Sequence, residues 1–193
     1  MKSLFLGKAV LSAVTIFSVS SHALGAIAEY AAGPTSEATF EAVGRPSMLK
    51  IKGHGAKVEG SVQVDGANAK GKFNLDLNQF TTGIGLRDSH MKERYLETPK
   101  YPKSVFEIEQ VELPSDWAPG KSVESAKFKG KLTIKDVTKP VEGTVKIAGE
   151  QLATEANFNI SLKDYPIGVP SYMGVSVADN VNVRVAIPAF TKK

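Results

Sequence analysis

The sequence predicts an all-β fold, an antiparallel sheet closed as a sandwich or barrel, on three observations. Apolar and polar residues alternate with a period of two along most of the chain, the mark of strands with one buried face. Short turn signals, rather than the long crossovers a parallel sheet needs, join most of the alternating runs. A single long stretch, Gly85 to Phe106, differs in kind from the strands around it.

The runs follow one another in order. Ala38, Phe40 and Ala42 oppose Glu37, Thr39 and Glu41, and Leu49 and Ile51 oppose Lys50 and Lys52, with Gly53-His54-Gly55 read as a turn. Val58, Gly60, Val62 and Val64 form the next inward set, ended by the hairpin signal Asp65-Gly66. Phe73, Leu75 and Leu77 come next. Leu86, Tyr95 and Leu96 then fit a short helix near residues 86–97, with Asp88 as its N-cap. Thr98-Pro99 and Tyr101-Pro102 stop it, because proline lacks a backbone donor and disfavours helix in the residue before it.

Phe106 and Ile108 resume the alternation, and a slip near Gln110-Val111 predicts a bulge. A loop from Leu113 to Val123 carries the only tryptophan, Trp117. The clearest strand sets Ala126, Phe128, Gly130, Leu132 and Ile134 against Lys127, Lys129, Lys131, Thr133 and Lys135. A turn at Asp136 to Lys139 leads to Val141, Gly143, Val145 and Ile147. Ala156, Phe158, Ile160 and Leu162 make another inward set, Tyr165 to Gly174 a Pro/Gly loop, and Val181, Val183, Val185 and Ile187 the last strand. The total is about nine strands.

The chain has 193 residues, which suits one domain. Its start has the layout of a secretory signal: Lys2 and Lys8, an apolar run from Ala9 to Val19, then small residues at Ser21/Ala23 and Ala26/Ala28. Cleavage is expected after Ala23 or Ala28, which leaves a single domain over 29–193 in the periplasm. Removing residues 1–28 takes two of the 24 basic residues and no acid, leaving 22 against 20. That balance, with no block of like charge, argues against a nucleic-acid partner. Cysteine is absent, which excludes disulfides and thiol chemistry.

The lysines decide which face is wet. Lys127, Lys129, Lys131 and Lys135 would crowd the lumen of a narrow membrane barrel, whereas on the outside of a soluble one they are solvated. An eight-stranded barrel has an interior that side chains just fill, or that holds one slender ligand. Inward small residues, Gly60, Ala126, Gly130, Gly143 and Ala156, either leave room for that ligand or let coiled strands bend.

Enzyme signatures are missing: no nucleophile elbow, H-E-x-x-H, Walker or G-x-G-x-x-G motif occurs. Two histidines beyond residue 28, His54 and His90, do not make a zinc site, and no metal or other cofactor is expected. Arg87, Asp88 and His90 fall within four residues at the start of the helix. Three readings stay open for them: local structure, with Asp88 capping and Arg87 pairing a carboxylate; contact with a ligand head group; and acid-base catalysis.

The runs Leu86-Arg87-Asp88-Ser89-His90-Met91, Tyr101-Pro102-Lys103-Ser104-Val105-Phe106 and Gly130 to Val141 (GKLTIKDVTKPV) resemble the YceI family of exported lipocalin-like proteins. The resemblance runs from about Ser36 to Ile187. It implies a lipocalin-like antiparallel barrel of eight or nine strands whose interior binds polyisoprenoid or other long-chain amphiphiles, and a binding protein rather than an enzyme. On that footing the small inward residues mark a cavity. The tail is expected along Phe73, Leu75, Leu77, Phe106, Ile108, Phe128, Leu132, Val145, Phe158 and Ile160, and the head near Arg87, His90 and Tyr101. The alternatives are a small hydrolase or isomerase using Arg87, Asp88 and His90, and a quinone-handling partner of a membrane cytochrome. Transient contact with a membrane or a membrane redox protein, and a homodimer, complete the expected partners.

Overall fold

A computed structural model of the chain describes residues 27–45, 49–172 and 175–193. The predicted signal segment, apart from Ile27 and Ala28, lies outside the described residues, as do Met173 and Gly174 of the predicted Pro/Gly loop.

Eight strands close into an antiparallel barrel: β2 (Glu37–Arg45), β3 (Lys50–Asp65), β4 (Asn68–Asp76), β5 (Lys103–Val111), β6 (Val123–Ile134), β7 (Val137–Ala148), β8 (Ala153–Ser161) and β10 (Val175–Ile187). Each pairs with the next, and β10 returns to β2 through Val183↔Phe40 and its neighbours. Closure removes the exposed edges that an open sheet would carry. Three short strands extend this wall. β1 (Ala28–Ala32) joins β3 to β11 (Phe190–Lys192), and β9 (Ser171–Tyr172) pairs with β10 inside the region predicted as loop. β1 carries no clear alternation and is half-buried along its whole length, which is why the pattern did not reveal it.

The predicted bulge in β5 is present, as a register shift between Ile108 and Gln110. Asp65 and Asn68 flank a two-residue turn, with Gly66 at φ 56°. Gly53-His54-Gly55 is not a turn: β3 continues through it, and its register against β2 shifts there. The glycines are needed for close approach, since a Cβ on Gly53 would lie 2.0 Å from Phe40 Cε1. They let β3 bend while His54 bridges to Thr81.

The tight turn between β6 and β7 is Lys135-Asp136, with φ of 49° and 61°, rather than Asp136 to Lys139. Lys135 therefore leaves the solvated stripe of Lys127, Lys129 and Lys131, which is exposed, and its own side chain is buried.

The inward glycines do not hollow the barrel. A Cβ on Gly60, Gly130 or Gly143 would lie 2.1–2.2 Å from the carbonyl oxygen of Lys72, Glu107 or Asn157 respectively. They are sites of close strand approach, which a coiled barrel needs. The barrel centre is instead solid. Phe106 and Phe158 stack with centroids 5.0 Å apart, and Phe128 meets them edge-on at 5.7 and 6.0 Å. Trp117, buried in the β5–β6 loop, closes one end and donates its indole N–H to the Lys121 carbonyl at 3.0 Å.

Candidate functional site: a hollow beneath the helical segment

The other end is covered by the stretch that broke the strand pattern. Helix α1 (Gly85–His90) runs into a π-helical turn (Met91–Tyr95). Asp88 is not its N-cap: Ile84 holds that position, and Asp88 sits in the first turn. From there its carboxylate reaches back, accepting from Thr81 Oγ1 at 2.6 Å, from the Thr82 amide at 2.8 Å and from Thr82 Oγ1. Among the described residues, Arg87 pairs with no carboxylate. It donates from Nε to Thr82 Oγ1 (2.8 Å) and from Nη2 to the Thr82 carbonyl (2.9 Å). The two charged residues thus tie the start of α1 to the loop that precedes it.

Burial on its own would raise the Asp88 carboxyl. The bonds from Thr81 and Thr82, with Lys92 nearby, outweigh it and hold the carboxyl below its usual range. A depressed carboxylate stabilises the fold above its unfolded value of about 3.9, and that contribution is lost as pH falls through the lower folded value. Asp88→Ala should therefore loosen this anchor at neutral pH by about 1–2 kcal/mol. Faster amide exchange over residues 85–96, with the rest of the barrel unchanged, is the expected reading. Wild-type protein should show the same local loosening on acidification.

The segment is latched at its far end by Lys135. Its Nζ donates to the Pro166 carbonyl (2.6 Å) and the Tyr95 carbonyl (3.3 Å) and pairs with Glu97. One buried ammonium thereby joins the β6–β7 turn, the helical segment and the loop after β8. Tyr165 holds that loop from below, with its hydroxyl donating to the Leu132 carbonyl at 3.3 Å; burial pushes this hydroxyl up to about 12.

Between the helical segment and the aromatic centre lies a hollow of about 510 Å³. Its walls are Leu75 on β4 and Leu77 just after it, Leu132 and Ile134 on β6, Ile160 on β8, Val181 and Val183 on β10, and Phe40, Ala42 and Ile51 on β2 and β3. Ile84, Leu86, Arg87, His90, Met91 and Leu96 form the roof. Polar groups are few, and Ser104, one of them, already donates to the Thr133 carbonyl at 2.7 Å. The hollow opens at an apolar rim where Leu86, Leu49 and Ile84 are 61, 53 and 52% exposed. A volume in the range of small-molecule sites, almost wholly apolar, suits a hydrocarbon.

Of the residues expected to contact a ligand, Leu75, Leu77, Arg87, His90, Leu132 and Ile160 line this hollow. Phe73, Phe106, Ile108 and Val145 line a second one of about 70 Å³ at the Trp117 end. Phe128, Phe158 and Tyr101 line neither, and the Tyr101 ring instead carries Lys100 Nζ at 4.8 Å. Val181, Val183, Ile134 and Ile51 were legible as inward positions but not as site residues. Ile84 and Met91, on the segment without strand period, gave no usable signal.

The arrangement has known counterparts. The YceI-like domain matches residues 31–189. The chain belongs to the YceI-like family. A UPF0312 protein of Yersinia pestis is 34% identical over 121 residues, 56% of this chain and 59% of that one, so the chain spans rather more than half the length of that relative. Among solved structures, a polyisoprenoid binding domain from Saccharophagus degradans, implicated in plant cell wall breakdown, superposes with a TM-score of 0.61 at 14% identity, over 86% of this chain and 98% of that one. BcnA of Burkholderia cenocepacia does so with a TM-score of 0.61 at 18% identity, over 77% and 94%. At such identities the likeness is one of fold. In this YceI-like barrel the Asp88 carboxylate faces Thr81 and Thr82, and the His90 side chain has no hydrogen-bond partner among the described residues. Nor do any three of the described His, Asp and Glu residues form a metal-binding group.

Proposed function

We propose that this protein is an exported carrier that holds a polyisoprenoid or similar long-chain amphiphile, its tail in the large hollow and its head at the rim near Arg87 and His90. The observation that carries this is the apolar hollow of about 510 Å³, roofed by a latched segment and open at an exposed apolar rim. Each buried methylene contributes roughly 0.8 kcal/mol, so a tail supplies most of the affinity and the head sets orientation. The Arg87 Nη1 group has no partner among the described residues and suits an anionic or hydroxyl head. Transient membrane contact would occur through the rim, where a tail has the shortest path from lipid to hollow. Export to the periplasm is supported by the signal layout.

Organic extraction of purified protein followed by mass spectrometry should recover a prenyl or long-chain lipid, and lipid-free protein should take up added prenol. Protein that is empty when isolated and refuses prenol would refute the proposal. His90→Ala should cost only some affinity; loss of a turnover on an amphiphile would instead favour an enzyme.

A further inference from the structure

We infer that the aromatic layer at the barrel centre is a length gauge, a floor that sets how long a tail the carrier accepts; this rests on the lipid-carrier reading above. Along several strands the inward residues change allegiance part-way. On β8, Ile160 lines the large hollow and Ala156 the small one, while Phe158 between them lines neither. On β5, Ser104 borders the large hollow and Phe106, the next inward residue, the small one. On β6, Leu132 borders the large hollow and Phe128 neither.

A hydrocarbon chain passing between two rings needs its carbons about 3.5–4.0 Å from each, hence rings roughly 7–8 Å apart. The centroid spacings among Phe106, Phe128 and Phe158 are 5.0, 5.7 and 6.0 Å. On β2 and β3, Ala38, Ala56 and Val58 continue the layer, are fully buried and line neither hollow. Gly143 makes the layer possible, because a Cβ there would lie 2.8 Å from Phe158 Cβ and 2.9 Å from Phe128 Cε1. The large hollow is therefore blind, and the part of a tail that exceeds it stays outside. For a tail drawn from a bilayer, every two methylenes left in water cost about tenfold in occupancy.

The experiment offers phosphatidylcholine vesicles carrying farnesol, geranylgeraniol or solanesol, in order of rising length, to lipid-free protein and reads occupancy by native mass spectrometry. Wild-type protein should favour geranylgeraniol over solanesol by about a hundredfold or more. Phe158→Ala should join the two hollows and reduce that preference at least tenfold, roughly what two further buried methylenes give. Phe158→Leu, milder on the core, should act in the same direction if the alanine variant does not fold. Adding Ile147→Phe to either, to refill the lower hollow, should restore the wild-type preference. Wild-type protein that takes up all three lengths equally, or folded variants with an unchanged preference, would overturn the gauge and leave the carrier intact. Wild-type protein that takes up none would overturn the carrier itself.

Discussion

Replacing Val183 by phenylalanine should stabilise the folded barrel and weaken lipid uptake about a hundredfold in the same protein. Val183 is inward on β10, paired across to Phe158 and Phe40, and borders the large hollow. In a filled core a larger side chain forces strain. Here the added ring enters empty space, in a strand environment that aromatic residues favour. Cavity filling of this kind typically adds about 0.5–2 kcal/mol. The ring brings about four extra carbons and displaces a similar number of tail methylenes, so affinity should fall by roughly 3 kcal/mol, about a hundredfold. Urea unfolding and prenol uptake on the same preparations give both numbers. A variant destabilised by more than about 1 kcal/mol would mean that the space is not there, and unchanged uptake would put the tail elsewhere.

Lys135→Met should cost about 2–3 kcal/mol and loosen the cover of the hollow, although the methionine keeps the apolar stem. The ammonium is surrounded: the Lys135 side chain is 5% exposed, and Nζ faces Glu97 and the carbonyls of Tyr95 and Pro166. Glu97, 44% exposed, can turn to water when the charge is lost, so the penalty falls mainly on the two carbonyls. The turn itself argues for a dedicated residue. Lys135 holds φ at 49°, where glycine or asparagine would be more comfortable. Lys135→Gly relaxes the backbone and removes the latch, so a glycine variant as unstable as the methionine one assigns the loss to the ammonium. Lipid release should quicken about tenfold in both, since the helical segment and the loop after β8 lose their common tie. Release at the wild-type rate would show that the segment does not gate the hollow.

The barrel was legible because period-two alternation is written strand by strand, and residues such as Leu132, Ile160 and Val183 could be placed inward from their immediate neighbours alone. Half of the site followed from that. The other half did not, because Ile84, Leu86 and Met91 lie on a segment whose apolar residues have no neighbours in register. Lys135 was misplaced for a related reason. It continues the alternation of Lys127, Lys129 and Lys131, but the chain reverses at that residue and sends its side chain inward.

The residue pattern alone therefore determined that this chain forms antiparallel strands and which positions on them face the core, since both follow from contacts along one strand and across one turn; the resemblance to a known family chose a barrel over a sandwich. Only the tertiary structure decided where the inside is solid and where it is empty. Phe106, Phe128 and Phe158 all read as inward, yet nothing local says that three rings from β5, β6 and β8 meet at one level and divide the interior. A hollow is what remains when side chains from separate strands fail to meet, so it is a property of the assembled layer and of no single residue.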